Sequence, residues 1–225
     1  MSEEWFVAID PVRPFVVQIV TPDGRGTGFL LHADDPNENW VIATAAHVVR
    51  YAFEWEQAIR IVHDESEESL LLHHEDRAIV MDTDQDTAAI LLGQDALALP
   101  SESPPLLAPN HTIRTGVDIA WLGYPAISHS TRCFFGGKIS AYLEEEKSYL
   151  VDGVAINGVS GGPAFYLDEG VATIMGVVSA YVPNRATGEA LPGLAVVRSI
   201  DHLNEVVAGY TSVDEAKVEE GDAEE

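Results

Sequence analysis

Three short stretches of the chain carry residue types able to perform acyl-transfer chemistry. They are Thr44-Ala45-Ala46-His47, Asp86-Thr87-Ala88-Ala89-Ile90-Leu91-Leu92 and Gly158-Val159-Ser160-Gly161-Gly162-Pro163. A serine hydroxyl is a poor nucleophile until a base takes its proton, and an imidazole such as His47 is suited to that task. The imidazole in turn needs a carboxylate to fix its tautomer and stabilise its cation, a role open to Asp86. The glycines around Ser160 permit an unusual backbone turn with N–H groups facing an attacked carbonyl. Each stretch alone is ordinary. A histidine after a strand is more often structural, an aspartate before an apolar run is usually a turn residue or cap, and a glycine-rich stretch is usually a turn.

Other residues compete for these roles. Asp82 and Asp84 lie close to Asp86, but only Asp86 directly precedes the apolar run. His73 and His74 beside Glu75 and Asp76 are metal-ligand types, yet their polar setting, without helical or cysteine-based spacing, reads as a solvated loop. No metal and no cofactor is expected. Cys133 has no motif around it and reads as a small buried apolar residue.

The elements that must position these residues are short strands. Apolar runs at 15–20, 28–31, 40–43, 59–62, 87–92, 118–122, 148–151, 162–166, 173–179 and 194–197 alternate with Gly, Pro, Asn and Asp. That spacing argues for a barrel or a sandwich. Two helices are expected, one over Ala45 to Phe53 and one over Ser199 to Val207, the second with Ser199 as its N-cap. The proline-rich stretch 97–111 reads as a linker between two strand-rich halves. The expected organisation is therefore 1–96, a linker 97–111, 112–211, and an acidic tail 212–225.

In the order His, Asp, Ser, the three motifs resemble the trypsin-like serine proteases, and most closely the bacterial high-temperature-requirement-type protease domain. Gly26-Thr27-Gly28-Phe29-Leu30 resembles the hairpin strand before that family's histidine. Gly123-Tyr124-Pro125 resembles the turn opening its second barrel, and Gly176-Val177-Val178-Ser179 its substrate-pairing strand. The resemblance implies an all-β fold of two six-stranded antiparallel β-barrels with a short C-terminal helix. His and Asp would come from the first barrel and Ser from the second. It implies catalytic His47, Asp86 and Ser160, and an oxyanion hole from the N–H groups of Gly158 and Ser160. It puts the pocket floor at Val154 and the walls at Ser179-Ala180-Tyr181 and Pro192-Gly193-Leu194. With no charge at Val154, cleavage is expected after small or medium apolar residues and not after Lys or Arg. Digestive relatives carry an Asp before the serine that pairs with a freed N-terminus. Here that residue is Val159, so activation by N-terminal clipping is not expected.

Two other readings compete. Gly158-Val159-Ser160-Gly161-Gly162 also fits the nucleophile elbow of α/β-hydrolases, which would need a helix after the serine and a later histidine, here only His202. Alternatively, the trypsin-like fold could serve as a catalytically silent module that captures extended peptides by strand addition.

Composition narrows the partners. The 225 residues include 12 Lys+Arg and 37 Asp+Glu, a formal charge of −25. The last 14 residues carry −6 of it, so the body is itself near −19. Such a field repels phosphate backbones and attracts basic groups, so protein or peptide substrates fit and nucleic acid does not. No apolar run reaches the roughly 18 residues of a membrane span, and no membrane partner is expected. The acidic N-terminus and the single cysteine fit a cytoplasmic, reducing setting. Oligomeric state is not readable from these features.

Overall fold

The structure, a computed structural model, describes residues 3–32, 40–92, 97, 103–183 and 190–209, with only the backbone at 3, 4, 180–183 and 190–192. A short helix α1 (Glu3–Ala8) leads into β1 (Val16–Thr21), β2 (Gly24–His32), β3 (Trp40–Thr44) and helix α2 (Ala46–Glu54). β4 (Ile59–His63), β5 (Glu68–Leu72), β6 (Ala78–Asp82) and β7 (Thr87–Leu92) complete the first half. The second half comprises β8 (Asp118–Gly123), β9 (Cys133–Leu143), β10 (Ser148–Asp152), β11 (Pro163–Asp168), β12 (Val171–Pro183), β13 (Ala190–Ser199) and a terminal helix α3 over 200–209. Ser199 Oγ accepts the N–H of Asp201 at 3.3 Å, as its N-cap position anticipates.

All ladders are antiparallel. The first half is a seven-stranded half-barrel sheet in the order β5-β4-β1-β2-β3-β7-β6, and the second closes as β10-β13-β12-β11-β8-β9. This is the two-barrel, mostly-β architecture that the sequence resemblance implies. It differs in that the first body has seven strands and remains an open sheet among the described residues. β5, β6 and β9 were not among the apolar runs. β5 and β6 are edge strands with largely half-exposed side chains, so no strong period marks them. β9 is disguised by Gly136-Gly137. A Cβ on Gly137 would lie 2.4 Å from the Asp152 carbonyl oxygen, so a side chain cannot fit where β10 crosses.

The cores explain why β1 to β3 read as continuous apolar runs and not as an alternation. Val17, Ile19, Leu30 and Ile42 face the core under α2 with Val49, Ile59, Ile61 and Ile90. Val16, Phe29, Leu31, Val41 and Ala43 face the other way, into a core shared with Trp121, Phe165, Val177 and Val197 of the closed barrel. Both faces are dry, so neither can be polar.

Two departures from the expected boundaries follow. Trp5 to Val12 belong with the second barrel. Trp5 packs on Phe134 and Phe165 with ring centroids 5.9 and 6.0 Å apart, and Ala8 and Val12 enter that core. The later part of the proline-rich stretch is likewise no free linker: Leu107 N–H donates to Ile174 O and Ile174 N–H to Pro105 O, at 2.7 and 2.8 Å. Residues 98–102 and the acidic tail 212–225 lie outside the described residues.

Candidate active site

The β3–β7 ladder pairs Thr44 with Ala88, which carries the chain after β3 toward the residue before β7. α2 starts there with no side-chain cap of its own, because its N-cap residue is Ala45. Asp86 fills that vacancy from the neighbouring turn, accepting the His47 N–H on Oδ1 at 2.9 Å. The same carboxylate takes the His47 ring: Nδ1 lies 3.0 Å from Oδ1 and 2.9 Å from Oδ2. A carboxylate can only accept, so Nδ1 carries the proton and Nε2 is left as an acceptor. Asp86 itself holds φ 51°, a left-handed backbone that aspartate tolerates better than most side chains.

Ser179 in β12 reaches across from the closed barrel and donates its hydroxyl to Asp86 Oδ2 at 2.5 Å. The Asp86 side chain is 19% exposed, the His47 ring 45%. Burial pushes the Asp86 carboxyl up, but hydrogen bonds and charge from His47, with the Ser179 hydroxyl, outweigh it and hold it below the usual carboxylate value. The rival Asp82 is a turn residue, its Oδ1 accepting the N–H groups of Asp84 and Gln85 at 2.9 and 3.0 Å. Asp76 similarly accepts the His73 N–H within its own turn, at 3.3 Å.

Ser160 arrives on a loop shaped by glycine. Gly158 and Gly161 hold φ 92° and 89°. A Cβ on Gly161 would lie 2.0 Å from Thr27 O, 2.2 Å from Thr44 Oγ1 and 3.1 Å from Ala45 N. The residue after Ser160 is thus wedged against the start of the helix that bears His47. Ser160 O accepts the Thr27 N–H at 2.9 Å. Along the loop the N–H groups of Val159, Gly161 and Gly162 go to Ile156 O, Val178 O and Val159 O at 3.1, 2.6 and 3.0 Å. The N–H groups of Gly158 and Ser160 have no partner among the described residues, and neither does the Ser160 hydroxyl.

The expected pocket is less well supported. Val154 is 51% exposed and so does not lie at a buried floor. The preceding Gly153 explains this, because a Cβ there would be 2.5 Å from the Trp121 ring, which already fills the space beneath. Gly193 sits at φ 83° and its carbonyl accepts the Gly153 N–H at 2.8 Å. Ser179 turns its hydroxyl to Asp86 and is no simple wall residue. The side chains of Ala180 and Tyr181 lie outside the description, and only their pairing with β13 is seen. His202 cannot serve an α/β-hydrolase elbow. It is buried on α3 and its Nε2–H donates to Glu146 O at 3.1 Å, while strand β11 and not a helix follows Ser160.

The architecture and this site point to one class, and comparison with known proteins agrees. Residues 26–174, more than half of the chain, match the trypsin-like peptidase domain. The chain belongs to that family. Its fold is similar to that of Rv3671c from M. tuberculosis H37Rv, solved as an inactive-form mutant, at 19% identity with a TM-score of 0.63 over 91% of this chain and 90% of that one. It is also similar to Deg5, at 20% identity with a TM-score of 0.65 over 90% of this chain and 91% of the other. No curated protein matches the sequence.

Proposed function

We propose that this protein is a serine endopeptidase acting through His47, Asp86 and Ser160, in the manner of the bacterial high-temperature-requirement-type branch. The observation that carries the reading is the pairing of two unpartnered amides, Gly158 and Ser160, with an imidazole oriented by Asp86. In the acylation step Ser160 Oγ attacks the scissile carbonyl carbon while its proton passes to His47 Nε2. The carbonyl oxygen becomes an oxyanion that receives the two free N–H groups. The new imidazolium donates from Nδ1 to Asp86, whose charge stabilises it. Collapse expels the amine, protonated by His47, and leaves an acyl-serine. Water, deprotonated by His47, then attacks that ester and regenerates the hydroxyl.

Substrates on this reading are proteins or peptides, with basic flanks favoured at low salt by the acidic body. The single cysteine, Cys133, is unpaired, which suits a reducing, cytoplasmic compartment. Among the described residues no helix is long and apolar enough to cross a membrane.

One observation favours a second reading. The Ser160 hydroxyl makes no hydrogen bond to His47, as a silent peptide-binding module would permit, although catalytic contacts of this kind often tighten only with substrate. A fluorophosphonate probe separates the two. Labelling at Ser160, abolished in His47→Ala, supports the protease; an inert Ser160 in a protein that still binds extended peptides supports the module.

A further inference from the structure

Two amides of one loop must point the same way for this site to work, and something must hold them there. Thr27, in β2, is fully buried between Gly26 and Gly28, and every one of its polar groups is committed. Its N–H donates to Ser160 O at 2.9 Å and its carbonyl accepts the Thr44 hydroxyl at 2.8 Å. Its own hydroxyl accepts the Tyr124 N–H at 2.9 Å and donates to Gly158 O at 2.8 Å. A hydroxyl has one proton, and with Tyr124 N–H on the acceptor side that proton is directed to Gly158 O.

On the other flank, Asn157 O accepts the Ala126 N–H at 2.7 Å. A trans peptide is planar, so a carbonyl turned to Ala126 sends the Gly158 N–H to the opposite side. The peptide planes before and after Gly158 are therefore both fixed, one by Ala126 and one by Thr27. No cationic or anionic group takes part. Val159, the residue between the two free amides, is buried and packs beside Gly123.

We infer that Thr27 is a positioning residue whose hydroxyl, bonded to Gly158 O, locks the oxyanion loop of this protease in its amide-outward form from within the first sheet. The inference rests on the protease reading above and adds to it how the loop is ordered. The contact also ties the loop of the closed barrel to β2 of the first sheet.

The test measures kcat, KM and the second-order rate of fluorophosphonate labelling for Thr27→Val and Thr27→Ser, with thermal unfolding of each. Thr27→Val keeps the shape and removes the hydroxyl. Its kcat and labelling rate should fall together by about 10²-fold, the cost typical of one lost oxyanion donor, while KM stays within about threefold. Thr27→Ser restores the hydroxyl and should recover most of kcat. Ala126→Pro, at an exposed residue, deletes the N–H on the other flank and should give the same split between kcat and KM; it decides the matter if Thr27→Val does not fold. A folded Thr27→Val, or in its absence Ala126→Pro, with wild-type kcat and labelling rate would overturn the inference and leave the protease reading intact. A wild-type protein that neither cleaves protein substrates nor labels at Ser160 would overturn both.

Discussion

The two halves of the site are held by different forces. His47 and Asp86 are joined by side-chain hydrogen bonds and charge, with Ser179 as a third member. The Ser160 loop is held by backbone bonds, by the Thr27 hydroxyl and by glycines with no room for a Cβ. The first half depends on protonation and on the chemical identity of three side chains. The second depends on shape and on one buried hydroxyl. Substitutions should therefore fail in different ways on the two sides, one in rate and pH response, the other in stability and geometry.

The largest effect should come where the halves meet. Ser160→Ala and His47→Ala should each cost on the order of 10⁵–10⁶ in kcat, and the double variant should be hardly worse, because on the proposed mechanism base and nucleophile act as one unit. Single-turnover kinetics of the three variants measure this, and losses that multiply would separate the two residues. Asp86→Asn comes next, at about 10⁴ in kcat, since an amide can donate to Nδ1 and favour the wrong tautomer. Ser179→Ala removes one hydroxyl from a carboxylate that keeps its His47 bonds, so about a tenfold loss is expected, equivalent to about 1.4 kcal/mol.

Gly161→Ala tests the shape-held half. Its Cβ would collide with Thr27 O and meet a left-handed backbone, so stability should fall by about 1–3 kcal/mol. Calorimetry should show Tm lower by roughly 2–4 °C per kcal/mol, by the same amount at pH 5 and pH 8. The smallest effect concerns pH. The folded Asp86 carboxyl titrates below its unfolded value, so the unfolded chain binds the proton first as pH falls. The stability it contributes is present above about pH 4 and is lost as pH drops through the lower folded value. The Tm difference between wild type and Asp86→Asn should narrow between pH 5 and pH 3, and a constant difference would place the carboxyl outside the linkage.

Much of this was legible in the sequence for local reasons. Gly158-Val159-Ser160-Gly161-Gly162-Pro163 is contiguous, and the glycines needed for its turn stand beside the serine they serve. Asp86 stood out from Asp82 because it abuts β7, and the β3–β7 register then delivers it to His47. What was not legible comes from pairs far apart in the chain. Thr27 meets Gly158 across 131 residues, and Ser179 meets Asp86 across 93. No spacing rule encodes such contacts, although a threonine between two glycines hints at a buried hydroxyl. Val154 misled because a fixed count back from the nucleophile ignores what Gly153 allows Trp121 to fill.

The docking of α1 on the closed barrel has a consequence for synthesis. Trp5 leaves the ribosome well before its partner Phe165, which follows about 160 residues later. At about 5–20 residues per second, that aromatic ring waits roughly ten to thirty seconds for the surface that covers it. Through that interval the first sheet can assemble without it, while Trp5 remains exposed to any other apolar surface. Folding of the nascent chain is therefore not strictly N-terminal first. Residues around Trp5, made well before the second barrel, are among the last to be secured, and a delay within that barrel would prolong the exposure of their aromatic surface.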